Sequence, residues 1–403
     1  MSASAGRGPL AGFTVLEATQ MVSGPLAAML LADLGADVVK IEQPAGGDRM
    51  RYLGNRRGGI GALWANVNRG KRSVCIDLAT PAGVEIVKRL AATADVFVQN
   101  FRPGVVKRLG IDDAALGAVN DQLIYVSISG FGDSGPYVDQ KSYDYVIQAL
   151  SGMAALQRDP NTGAPALLRN IVIDKVTAYT VAQSVTAALL ARERGAGGQH
   201  VRVAMLDVAL AFIWPDGMMQ HTLLGDGVTE APHMADGYMV RRTKDGWIAQ
   251  MATSDRQFPP LCCALGTEHW MSDPRFATMA ERERNLSVLA DLMEAEFVRY
   301  PTVDLVKLLQ SVDVPCAGVT PIDAVHLDPQ VVHNETLVEH DRPWIGRVRE
   351  PRPAARYDTT PQAIGRHAPK LDEHTDEVLA ELGLAADEIA ELRAANVVGA
   401  RRT

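Results

Sequence analysis

Short apolar runs alternate with amphipathic stretches through the first third of the chain. Residues 13–18 form an apolar run of strand length. Ser23-Gly24-Pro25 then opens an Ala/Leu-rich segment with helical spacing, Pro being well tolerated in a first turn. Gly35 closes that segment, and residues 38–42 predict a second strand, completing a βαβ unit. Further strands are predicted at 73–78, 96–99 and 123–129, and helices at 81–92 and 104–109. Strands that alternate with helices in this way imply a parallel sheet covered by helices.

Later in the chain the run 171–173 leads into Asp174 and a long apolar helix that closes near Gly195. Aspartate is a favoured N-cap, and the positive end of a helix dipole favours its ionised form. A carboxylate held there is either a cap or a nucleophile, and the local pattern leaves both open. Gly195, Gly197 and Gly198 precede a strand at 201–205, and another helix begins near Asp207. Composition shifts around 225–236; beyond it a turn at Lys244-Asp245-Gly246 leads into a strand, and helical segments run to about 312. The expected division is a large domain begun by residues 1–225, a small α+β domain over 226–325, and a return to the large domain over 326–403, whose end is helical at 376–382 and 386–395.

The 403 residues are 47% apolar and 22% charged, an ordinary globular balance with room for two domains. No run of 18 apolar residues predicts a membrane span. Residues 1–9 are small and polar, unlike a secretory signal. Cys75, Cys262, Cys263 and Cys316 show no metal or disulfide spacing, and the nine histidines include no HExxH. A reduced, cytoplasmic, metal-free protein is expected. Net charge is −8, yet residues 40–110 hold 13 Lys+Arg against 5 Asp+Glu, while 371–390 hold 7 acids and no Lys or Arg. A basic stretch in an acidic chain suggests a small polyphosphate ligand; whole-chain acidity and few aromatics argue against nucleic acid. No G-x-G-x-x-G follows the first strand, which removes the main support for a nicotinamide or flavin. The loop G-F-G-D-S-G-P at 130–136 lacks the Lys-Ser/Thr of a P-loop and reads as a plain turn. No Ser-His-Asp or Cys-His signature is apparent.

Several segments then fall into one order: V-S-G-P-L-A-A-M-L-L-A-D-L-G-A-D-V-V-K-I-E (22–42), N-R-G-K-R-S-V-C-I-D-L (68–78), A-D-V-F-V-Q-N-F-R-P-G (94–104), S-G-F-G-D-S-G-P-Y (129–137), Asp174, G-A-G-G-Q-H-V-R-V-A-M-L-D (195–207), T-K-D-G-W-I-A (243–249) and E-H-T-D-E-V-L-A-E-L-G-L (373–384). Together, from about residue 11 to 396, they resemble the class III CoA-transferases, the family that includes formyl-CoA:oxalate and carnitine CoA-transferases and the 2-methylacyl-CoA racemases. The resemblance implies an α/β fold: a Rossmann-like large domain formed by both chain ends, an inserted smaller α+β domain, and an interlocked homodimer. Val378, Leu379 and Leu382 at helical spacing would then pack back on the first domain or on the partner.

In the family's transferases an aspartate matching Asp174 is the nucleophile. The resemblance therefore implies an acyl-CoA:carboxylate CoA-transferase, with the CoA thioester as substrate, a carboxylic acid as acceptor, and no prosthetic group. An ordinary aspartate, with a pKa of about 3.9, would be ionised at neutral pH without a general base. The CoA contacts implied by the match are Val22, Ser23, Gln43, Ile76, Asp77, Leu78, Ala79, Asn100, Phe101, Arg102, Arg108 and Lys141, with Lys71 and Arg72 as nearby cations. Gln43 stands where the family can carry an arginine able to stack on adenine. The alternative is a racemase, which pairs its aspartate with a histidine; that histidine falls on Tyr143, a poor proton shuttle at pH 7 and a match to a substrate-lining tyrosine. A further alternative is a CoA-binding protein without turnover. The glycine run that covers the formyl-CoA:oxalate enzyme's site has no counterpart over 230–260, which holds only Gly237 and Gly246, so a less polar acceptor acid is expected.

Overall fold

A computed structural model of the chain describes residues 8–159, 162–251 and 254–401. The leader reading made on residues 1–9 therefore lies mostly outside the described residues. The described chain packs as two compact units, one drawn from Met1–Gln157, Pro165–Phe212 and His333–Thr403, the other from Arg158–Ala164 and Ile213–Val332. No described helix is long and apolar enough to cross a membrane.

The larger unit is built on six parallel strands: β1 (Thr14–Ala18), β2 (Asp37–Glu42), β3 (Lys71–Cys75), β4 (Val96–Gln99), β5 (Ile124–Ser129) and β6 (Gln199–Ala204). Their spatial order is β3-β2-β1-β4-β5-β6, that of a doubly wound nucleotide-binding sheet. Both faces are covered, so strands such as β4 and β5 are apolar at successive positions rather than at alternate ones. Residues of one parity, such as Leu16, Val39 and Phe97, pack with Ile86 and Val87 of the helix Pro81–Ala91; those of the other, Val15, Val38 and Val96, pack with Ala28, Leu31, Val181 and Val185.

The helices of this unit include α1 (Ser23–Asp33), α2 (Pro81–Ala91), α3 (Asp144–Leu150), α4 (Val172–Ala191), the first part of α5 (Met205–Gly217), α6 (Thr375–Glu381) and α7 (Ala386–Ala394). Val378 and Leu379 of α6 and Ile389 of α7 enter the core on the α2 face, so the end of the chain closes one side of the sheet begun at its start. The chain builds β1, β2 and β3 outward in one direction, then places β4 on the other side of β1. Loops leaving β1 and β4 therefore diverge at their carboxyl ends and leave a crevice, where such sheets bind ligands. The smaller unit has three antiparallel strands, Val240–Arg242, Trp247–Gln250 and Cys316–Gly318, packed on helices that include Phe258–Leu265, Leu286–Phe297 and Thr302–Gln310.

Candidate active site

Asp174 does not cap its own helix. α4 starts two residues earlier, at Val172, with Ile171 in the cap position and no side-chain cap. Capping is supplied by Asp144, the buried first residue of α3: its Oδ2 accepts the Asp174 N–H at 3.0 Å. Its Oδ1 accepts from Gln148 Nε2 at 2.6 Å, and Gln148 in turn binds the approach to α4, accepting from Leu168 N at 3.0 Å and donating to Asn170 O at 3.1 Å. With the helix end satisfied from α3, the Asp174 carboxylate is free to face the crevice it shares with Ser23, the first residue of α1, whose N–H and hydroxyl favour its charged form. α1 has no side-chain cap of its own, so the Asp174 carboxylate stands where that helix end favours an anion.

Local backbone makes this approach possible. Met21, just before α1, holds a left-handed φ of 70°. A Cβ on Gly24 would lie 2.5 Å from the Thr19 side chain, so only glycine permits this tight start to α1.

Electrostatics differ from the expectation of an ordinary carboxylate near 3.9. Burial, and then the Asp144 charge beside it, push Asp174 up to about 6, against the opposing influence of the Ser23 N–H and hydroxyl. The helix ends reduce this rise without cancelling it. At pH 7 roughly nine molecules in ten still carry the ionised form, and the carboxylate is more basic than a free aspartate.

Asp174 opens on a cavity of about 200 Å³ in the crevice. The structure brings Ser23, Asn100, Phe101, Arg102, Lys141 and Tyr143 to the same cavity. Asn100 ties the crevice walls together, donating to Gln20 O at 2.7 Å and accepting from Gln20 N at 2.9 Å. Arg102 and Lys141 are exposed and form no ion pair among the described residues. Tyr143 is also exposed and stacks on Tyr145 with ring centroids 6.0 Å apart. No histidine lines this cavity among the described residues.

Other named residues lie elsewhere. The Val22 side chain is buried in a separate apolar cluster with Trp64. Exposed Gln43, after β2, donates to Gly47 O at 3.3 Å. Ile76 is fully buried and bridges to Val398, Asp77 binds Arg401 at 2.6 Å, and Leu78 and Ala79 follow in the loop after β3. Arg108 is exposed on the short helix Val105–Leu109 beyond β4. Gln43 and Ile76–Ala79 do share the carboxyl edge of the sheet with the cavity, because each follows a parallel strand.

The basic stretch requires correction. Lys40 and Lys71 are fully buried and share the two oxygens of Glu17 at 2.6 and 2.7 Å. Arg51 binds Glu42 at 2.5 Å, Arg69 binds Asp33 at 2.7 Å, and Arg72 binds Asp37 and Glu381. Several partner acids come from outside residues 40–110, so a local count saw cations without their counterions. Lys71 and Arg72 are structural ion-pair members, not ligand contacts.

Other features escaped the sequence reading. The 130–136 loop, read as a plain turn, contributes Gly130, Phe131 and Gly132 to the cavity wall, and a Cβ on Gly130 would lie 2.2 Å from Ser142 Oγ. A Ser–His–Asp row also exists: Ser127 Oγ lies 2.8 Å from His200 Nε2, and His200 Nδ1 lies 2.9 Å from Asp113 Oδ2. Its members are far apart in sequence. Ser127 lies within β5 rather than at its end, and the row ties β5 and β6 to the helix Asp113–Gly117. Among the described residues no group of three or more His, Cys, Asp or Glu is placed to hold a metal ion.

Comparison with known proteins agrees with this architecture. The chain is 34% identical over 387 residues to succinate–glutarate CoA-transferase of Agrobacterium fabrum, covering 93% of this chain and 96% of that protein. It is 30% identical to formyl-CoA:oxalate CoA-transferase of Escherichia coli, covering 96% of this chain and 98% of that one. The crystal structure of a CAIB/BAIF family protein from Brucella suis superimposes with a TM-score of 0.81 at 31% identity, covering 94% of this chain and 100% of that chain. The model of CoA-transferase family III matches residues 10–375, and the chain belongs to that family of transferases.

Proposed function

We propose that the chain is an acyl-CoA:carboxylate CoA-transferase with Asp174 as its covalent nucleophile. The observation that carries this is the Asp174 carboxylate itself: released from capping α4, open to the crevice, and made more basic by burial and Asp144. One oxygen attacks the thioester carbonyl; the C–S bond breaks, leaving an acyl-aspartyl anhydride and CoA thiolate. The thiolate attacks the aspartyl carbonyl, freeing the first acid and leaving an aspartyl-CoA thioester. The acceptor carboxylate attacks that thioester, forming a second anhydride and releasing the thiolate. Attack of the thiolate on the new acyl carbonyl gives the product thioester and restores Asp174. No net proton transfer is required, which fits a cavity lined by no histidine among the described residues and favours transfer over racemisation.

CoA is proposed to run along the carboxyl edge of the sheet. Ser23, Asn100, Phe101, Arg102 and Lys141 would hold it beside Asp174, and Gln43, Ile76–Ala79 and Arg108 farther out, with backbone contributions at Val22. Tyr143 would line the acyl site. An interlocked homodimer in the cytoplasm completes the reading, supported by the family and by free thiols at all four cysteines. Relatives named for glutarate, succinate and oxalate make small dicarboxylates the first acceptors to assay. The test is incubation with succinyl-CoA and hydroxylamine, followed by mass spectrometry. A hydroxamate on Asp174, with loss of exchange in Asp174→Ala, is expected; full exchange in that variant would sink the proposal.

A further inference from the structure

The sheet of the smaller unit turns Arg241, Ile248 and Gln250 to one face, because Arg241 pairs with Ile248 and Gln250 lies two residues further along. Ile248 enters the core of the unit. Arg241 and Gln250 instead line a cavity of about 360 Å³, within the range of small-molecule sites. None of its lining residues is shared with the Asp174 cavity.

Two buried arginines line this cavity, and they differ. Arg282 donates to Asp255 Oδ1 at 2.6 Å and Phe276 O at 3.0 Å, and stacks over Phe258 at 4.6 Å. Arg241 is only 5% exposed, yet its Nε has no hydrogen-bond partner among the described residues. The charge of Glu294 opposes its burial only in part. Gln250 Oε1 is likewise buried without a partner. An arginine remains charged in a protein, and leaving its buried donor unmade is costly. A ligand that brings an anion relieves that cost. The rest of the wall states what else the ligand carries: five of the 14 methionines (Met219, Met234, Met251, Met279 and Met293) line the cavity. Methionine walls are apolar and adapt to the shape of what fills them.

We propose that this cavity binds a carboxylic acid with an apolar chain, its carboxylate on the Arg241 guanidinium and its chain among the methionines. Gln250 supplies the second polar contact: turned end for end, its amide donates to the carboxylate and gives up only a 3.5 Å contact to Met293 Sδ. The site stands whether or not Asp174 is the nucleophile.

The test uses the full chain with its methionine methyls labelled with ¹³C, titrated with octanoate, hexanoate and butyrate. Octanoate is expected to shift Met279 and Met293, with Met21 and Met205 of the Asp174 cavity unmoved. Affinity should rise about fourfold per added methylene and should fall steeply for octan-1-ol, which lacks the charge. Arg241→Met is expected to weaken octanoate at least tenfold while the thermal midpoint holds or rises, since it removes a buried charge that Glu294 offsets only in part and whose Nε has no hydrogen-bond partner among the described residues. Asp174→Ala should bind octanoate as the parent does. Absence of binding, shifts confined to Met21 and Met205, or undiminished binding by a folded Arg241→Met protein would each overturn the proposal.

Discussion

Replacing Asp144 by asparagine isolates the interaction that sets the Asp174 carboxylate. Asp174 stands at about 6 against an ordinary 3.8, with burial the larger cause and the Asp144 charge the next. The substitution leaves burial in place and keeps one of two acceptor oxygens, of which Oδ2 now takes the Asp174 N–H at 3.0 Å. It removes the charge, and a like charge at this range contributes on the order of one pKa unit, or about 1.4 kcal/mol. The acid limb of kcat/KM, expected near pH 6 in the parent, should therefore move toward about pH 5. At pH 6 the ionised fraction would rise from about one half to about nine tenths. Above pH 7, where both proteins are ionised, the less basic carboxylate should be slower. An amide nitrogen must then face either the Asp174 N–H or Gln148 Nε2, which now donates at 2.6 Å. A stability loss of about 1–3 kcal/mol is therefore expected, and thermal melts at each pH keep it apart from the catalytic effect. The assay is succinyl-CoA:glutarate exchange from pH 4.5 to 8, beside a ¹³C-aspartate titration of Asp174. An acid limb that stays put or moves upward in folded protein would refute the reasoning.

Four further outcomes follow from the same geometry. Asp174→Asn should abolish exchange yet stabilise the fold at pH 7. The folded pKa lies above the unfolded one, so stability falls as pH rises from about 4 through 6, by up to about 3 kcal/mol; differential scanning calorimetry of parent and variant across that window checks the sign. Glu17→Gln should cost about 3–5 kcal/mol in urea melts, because it leaves buried Lys40 and Lys71 without their shared carboxylate. Arg102→Ala and Lys141→Ala should each raise KM for acyl-CoA about tenfold with kcat little changed, and more so at low ionic strength; an unchanged KM would remove that cation from the proposed CoA site. Gly24→Ala should cost about 1–3 kcal/mol and reduce kcat, because its Cβ would meet Thr19 at 2.5 Å and shift the start of α1, with Ser23, away from the Asp174 cavity; unaltered kinetics would separate the start of α1 from the chemistry.

What could be read before the fold was known depended on how far apart the cooperating residues lie. Strands of the large unit such as β4 and β5 were legible because both of their faces are buried, so they appear as apolar runs; β4 at Val96–Gln99 has the predicted limits. The strands Leu337–Arg342 and Gly346–Pro351 were not, because one charged strand sits against the other: Glu339 binds both Arg347 and Arg349 across the hairpin, and charges at these positions hide a strand's period. The candidate site divides in the same way. Ser23, Asn100–Arg102 and Lys141 follow strands or fall in loops whose order a family pattern preserves, and they meet at one cavity. The state of Asp174 could not be read, since it depends on Asp144, 30 residues earlier, and on the free end of α1. A local pattern leaves capping of α4 open to Asp174 because it cannot show that Asp144 already fills that role. The basic stretch misled for the same reason: Lys71 has its counterion at Glu17 and Arg72 has one of its own at Glu381. Charge counted along a chain describes a site only once ion pairs and positions are known: among the described residues the stretch sends Arg102 to the cavity wall, where Lys141 joins it from outside the stretch.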